Sequence, residues 1–203
     1  MRCSLEPQRM RRTPVPGSGA HLARASTWGG WSAPPEGLTV HAEPTIRAFP
    51  NFATAQICAW LIERARGKLK RALVYDPVGR RDIADRSRTN TVAEFNLVET
   101  DLVQVATQVR MSAACGIPMR NMEAPAVLHY EVGQEIVNHY DFIDPETPNY
   151  EREIAERGER VITFLVYLND DYAGGETEWT EGNGRGERIR PSGPCLPKAS
   201  IGF

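Results

Sequence analysis

The sequence predicts an α+β domain, with two amphipathic helices first and a run of strands after them. Three observations carry this. Ile57, Trp60, Leu61, Ala65 and Leu69 recur at helical spacing. Leu102, Val105, Ala106, Val109 and Ala113 do the same and form a second predicted buried face. Val161 to Leu168, by contrast, is a β-branched and aromatic run of strand length. Helices segregated from strands point to a sheet sandwich with helices packed on it.

Taken in order, residues 1–40 read as a disordered leader and linker. Met1 to Ser26 is Arg-rich and has no apolar core of the kind a secretory signal needs. Trp28 and Trp31 sit among Pro and Gly. Thr54 is a plausible N-cap for the first helix, and the Arg and Lys residues between Arg64 and Arg71 form its solvated face. Gly79 marks a loop, and Asp85 to Phe95 is an extended or loop segment. The second helix begins near Thr100-Asp101 and ends at Gly116, with Pro118 beyond it. Glu123 to Thr177 supplies three or more strands, interrupted after Asp144 by a polar stretch with one or two helical turns. Residues 41–179 thus form the domain. Residues 180–203, with five Gly, three Pro and no His, read as an atypical tail without a strand signal.

Composition excludes several functions. A net charge of −2 and a pI near 6.1 are wrong for a nucleic-acid surface, which needs a concentrated basic face. No apolar run is long enough for a membrane span. The four cysteines are scattered and unpaired in spacing, which fits free thiols in a reducing cytoplasm.

The chemistry centres on His139-Tyr140-Asp141. In extended backbone, residues two apart share a face, so the imidazole of His139 and the carboxylate of Asp141 stand side by side. That is two-thirds of the two-His-one-carboxylate arrangement that holds a non-haem Fe(II) with open positions. Its flanks are specific: Tyr130 nine residues earlier, the strand carrying Thr163, and the phrase YLNDDYAGGET from Tyr167 to Thr177. Together they resemble the 2-oxoglutarate- and Fe(II)-dependent dioxygenases, most of all the prolyl 4-hydroxylase group in its bacterial form. The resemblance runs from about Glu43 to Trp179.

This resemblance implies a double-stranded β-helix, a jelly-roll relative. It implies Fe(II) held by His139 and Asp141, 2-oxoglutarate bound by Tyr130 and Thr163, and a substrate groove near Arg88 and Thr89. It also implies L-ascorbate as the reductant, O₂ as co-reactant, and a prolyl residue of a peptide or protein as substrate. A second ligating His and a basic residue for the far carboxylate of 2-oxoglutarate are expected after Asp141. The four His are His21, His41, His129 and His139, so neither feature stands in family context and the C-terminal strands read as missing or aberrant. His129 neighbours Tyr130 on one strand and so faces the other way. Cys195, between Pro194 and Pro197, lies in the tail. Two readings follow: a prolyl hydroxylase, or a catalytically impaired remnant or non-enzymatic interaction module that retains part of the fold. The oligomeric state is not legible.

Overall fold

The structure is a computed structural model and describes residues 32–180, 186–189 and 199–202. The chain divides into Met1–Trp31 and Ser32–Phe203, and everything below belongs to the second unit. The expected disorder of residues 1–31 lies outside the described residues. Residues 38–40, however, are not linker. They belong to strand β1 (Leu38–His41), which pairs antiparallel with β2 (Ile46–Phe49).

Helix α1 (Ala55–Arg66) starts where predicted, because the Thr54 hydroxyl accepts the Ile57 amide at 3.3 Å. Its buried residues are Cys58, Leu61 and Ala65. Trp60, predicted for the buried stripe, is about half exposed, and its indole N–H donates to Asp101 at 3.0 Å. Helix α2 (Leu102–Cys115) opens on a capping box between Asp101 and Gln104. It closes on Gly116 at φ +76°, a left-handed position that glycine adopts without strain.

The predicted face of α2 is wrong. Leu102 and Val109 are exposed, and the buried positions are Gln104, Thr107 and Arg110. These polar groups tolerate burial because each has a partner. Gln104 completes the cap, Thr107 donates to Val103 O at 2.7 Å, and Arg110 donates to Ala33 O at 2.7 Å above the Phe52 ring.

The short strands β3 (Lys70–Arg71), β6 (Thr91–Glu94) and β7 (Ala126–His129) form one antiparallel sheet, in the order β3-β6-β7. Strands β4 (Val74–Asp76) and β5 (Arg81–Ile83) form a hairpin that the sequence pattern did not show. Helix α3 (Tyr150–Arg157) is the two-turn helix expected after Asp144. Strand β8 (Thr163–Val166) is the core of the predicted apolar run.

The tail corrects the sequence reading most. After β9 (Thr177–Thr180), β10 (Gly186–Ile189) pairs with β9, and β11 (Ala199–Gly202) lies between β2 and β8, antiparallel to both. Ladder pairing uses the backbone, so this strand forms without an apolar run to announce it. The C-terminal strands expected to be missing are present, in the sheet order β1-β2-β11-β8. Among the described residues the sheets do not close into a barrel.

Two apolar clusters join the layers. Phe49, Phe52, Ala53 and Cys58 gather Met111, Ala114, Ile162, Phe164, Val166 and Leu168 around them. Phe52 and Phe164 meet at 4.9 Å between ring centroids. Ala65, Ala93 and Phe95 form the second cluster, with Leu69 and Val127 against it. Along β8 the even-numbered residues therefore enter the core. Thr163, Leu165 and Tyr167 alternate to the opposite face, which is the face of the site.

Candidate metal centre

Strand β7 delivers Tyr130 to a turn at Gly133, after which the chain is stitched to the segment before β6. Thr89 N–H donates to Glu135 O at 2.9 Å, the Thr89 hydroxyl and Glu135 N–H meet at 2.8 Å, and Val137 N–H donates to Ser87 O at 2.8 Å. An isolated bridge pairs Arg88 with Ile136. These bonds fix the backbone two residues ahead of His139.

His139 to Asp141 is irregular and not the regular strand assumed from alternation, yet the two side chains do meet. His139 Nδ1 lies 2.8 Å from Val137 O, so this nitrogen carries the proton and Nε2 is turned toward Asp141. Nε2 and Asp141 Oδ1 are 3.4 Å apart. The other oxygen, Oδ2, accepts the Thr163 hydroxyl at 2.6 Å. Arg160 stands 3.7 Å from Oδ1 and is paired with Glu123, with NH2 2.7 Å from Oε2. Ile143 N–H donates to Glu159 Oε1 at 2.9 Å, which closes the loop that follows Asp141.

The electrostatics follow from these contacts. The hydrogen bond from His139 pulls the Asp141 carboxyl down to about 2, against the opposing effect of burial, with help from Thr163 and Arg160. The same contact raises His139 above its ordinary value. Burial pushes the Tyr130 phenol up, and the charge of Arg88 offsets this in part. Arg88 also opposes protonation of His139. Tyr130, Arg88 and His139 thus share one electrostatic neighbourhood, to which Tyr167 adds its influence on Tyr130.

Thr163, expected from the resemblance to contact the cosubstrate, donates its hydroxyl to Asp141 here. Arg88 donates to Asn90 Oδ1 and to Leu73 O, both at 3.3 Å, and the Thr89 hydroxyl is engaged with the Glu135 backbone. Sequence reasoning missed Arg160 and the Tyr167–Thr177 hydroxyl pair at 2.5 Å. Alternation from Thr163 puts Tyr167 on the same face and could have found it. The partnership of Arg160 with Glu123, 37 residues away in sequence, left no local signal.

A family model described as "2OG-Fe(II) oxygenase superfamily" matches residues 125–198, a segment that contains the His139–Asp141 pair and β8. Over that segment the chain is similar to members of that superfamily. The match runs past Trp179, where the sequence reading placed the end of the resemblance. Similar proteins include "Probable prolyl 4-hydroxylase 10" of Arabidopsis thaliana, 33% identical over 142 residues. "Prolyl 4-hydroxylase 5" of the same plant is 33% identical over 143 residues, and "Probable prolyl 4-hydroxylase 8" is 32% identical over 142. Each alignment covers 70% of this chain and 47% of the relative, so the chain spans about half the length of these curated relatives.

The donors suit a superfamily iron as far as they go. The Val137 carbonyl holds the Nδ1 proton of His139, so loss of the Nε2 proton shared with Asp141 leaves a lone pair able to bind a metal beside Oδ1 of the ionised carboxylate. Among the described residues, no group of three His, Cys, Asp or Glu side chains converges there. His41, on β1, packs its ring against Trp179 at 5.7 Å between centroids.

Proposed function

We propose that this chain is a 2-oxoglutarate- and Fe(II)-dependent dioxygenase that hydroxylates a prolyl residue of a peptide or protein. The observation that carries the proposal is the convergence of His139 Nε2 and Asp141 Oδ1, 3.4 Å apart, inside the segment that matches the superfamily. His139 and Asp141 hold the iron. When bound, the metal with 2-oxoglutarate and O₂ supplies the oxidative chemistry, and ascorbate keeps it reduced. Tyr130 offers its phenol to a cosubstrate carboxylate, and burial keeps that phenol a hydrogen-bond donor across neutral pH. Arg88 and Thr89 edge the groove from which a peptide approaches.

The core is read as a double-stranded β-helix. Support comes from the superfamily match over residues 125–198 and from β11, a late strand inserted between β2 and β8. No helix among the described residues is long and apolar enough to cross a membrane. Cys58, a buried thiol outside any disulfide, suits a reducing compartment such as the cytoplasm.

The test is succinate release by the chain with Fe(II), ascorbate, 2-oxoglutarate and a Pro-rich peptide, followed by mass spectrometry. Iron-dependent succinate with a +16 Da peptide product, both abolished by Asp141→Ala, is the expected result. The two-donor convergence among the described residues favours a second reading, an interaction module without turnover. Peptide binding without succinate, in a chain that still binds iron, would establish it.

A further inference from the structure

We propose that Thr163 is a positioning residue for Asp141: it fixes which carboxylate oxygen faces the metal. The inference rests on the iron-site reading above and goes beyond it. A carboxylate on a half-exposed loop is free to turn about its last torsion, and the two oxygens then exchange roles. Here their environments differ. Oδ2 is held by the Thr163 hydroxyl at 2.6 Å, while Oδ1 faces His139 Nε2 at 3.4 Å and Arg160 at 3.7 Å. A donor on Oδ2 makes Oδ1 the metal-facing atom and favours monodentate binding.

The donor is well anchored. Thr163 opens β8 and pairs in register with Gly202 of β11. Its neighbour Phe164 is locked between Phe49 and Phe52, at 5.9 and 4.9 Å between ring centroids. The loop that carries Asp141 thus takes its orientation from the packed core through one hydroxyl. Its other clamps, Glu159 on Ile143 N–H and Val137 O on the His139 ring, act on the backbone and on the partner ligand. Among the described hydrogen bonds, Thr163 is the one that reaches Oδ2.

The experiment titrates Mn(II) into the 203-residue chain, following the free-ion EPR signal, for wild type, Thr163→Val, Thr163→Ser and Asp141→Ala. Thr163→Val keeps the shape and removes the hydroxyl, and is expected to weaken binding about tenfold or more, the range for an outer partner of a metal ligand. Thr163→Ser restores the donor and stays within about threefold of wild type, and the two melts coincide. Should the Val variant melt early, Thr163→Ala replaces it. Unchanged affinity in the hydroxyl-free variant, with binding lost in Asp141→Ala, overturns the positioning role and leaves the metal site standing. Equal loss in the Ser and Val variants also overturns it. Unchanged affinity in Asp141→Ala overturns the site itself.

Discussion

Replacing Glu153 by alanine should destabilise the fold by removing the anion that joins α3 to the β4–β5 hairpin. The carboxylate is 1% exposed. It meets Arg157 Nε at 3.1 Å, Arg80 Nε at 3.6 Å and the Tyr75 hydroxyl at 3.2 Å, while the Arg157 guanidinium lies 3.8 Å over the Tyr75 ring. Breaking a buried ion pair by deleting one partner costs about 3–5 kcal/mol, because the other charge is stranded. Here the stranded arginines are 51% and 34% exposed and can turn to water. The expected loss is therefore lower, roughly 2–4 kcal/mol, most of it from lost packing and from the orphaned Tyr75 hydroxyl. For a domain of this size that is a fall in melting temperature of about 5–15 °C. Glu153→Gln, which keeps a partner for Tyr75, should fall between the two. Thermal unfolding followed by circular dichroism measures this. A Glu153→Ala melt within about 2 °C of wild type would show that α3 and the hairpin are not held by this charge.

Two further outcomes follow from the packing and the caps. Phe52→Ala removes a side chain with no exposed surface from the Phe49–Phe164 cluster and should cost about 3–5 kcal/mol, read as a lower urea midpoint at an unchanged slope. Burial pushes the Asp101 carboxyl up, but the Gln104 amide, the Trp60 indole and Arg64 more than offset this and hold it below the usual range. A depressed carboxyl stabilises the fold above its unfolded value near 4, and that contribution is lost as pH falls through the folded value. Asp101→Asn keeps the cap but not the charge. It should melt lower than wild type at pH 7 by about 0.5–1 kcal/mol, and the gap should close below about pH 4 in melts across pH 3 to 7.

How much was legible in the sequence differed by the range of the interaction. Caps are local, so Thr54 and Gly116 could be placed to the residue and the start of α2 near Thr100-Asp101. The His139–Asp141 pair was found by two-residue spacing, and the side chains meet although the segment is irregular. The same period along Ile162 to Leu168 separates core from site, but it does not say what each site-facing group touches. The hydrogen bond from Thr163 to Asp141 spans 22 residues and left no local signal. The face of α2 was misjudged because apolar count stood in for burial, whereas Gln104, Thr107 and Arg110 are buried and each makes a hydrogen bond. Strand β11 was invisible because its partners, β2 and β8, supply the pairing from across the chain.

The central claim is that His139 and Asp141 bind the metal, and anaerobic Fe(II) titration tests it most directly. The chain, His139→Ala and Asp141→Ala are compared under identical conditions, with circular dichroism to show that all three are folded. The account predicts saturable binding to the chain and its loss in each variant. Equal Fe(II) binding by all three proteins would contradict it.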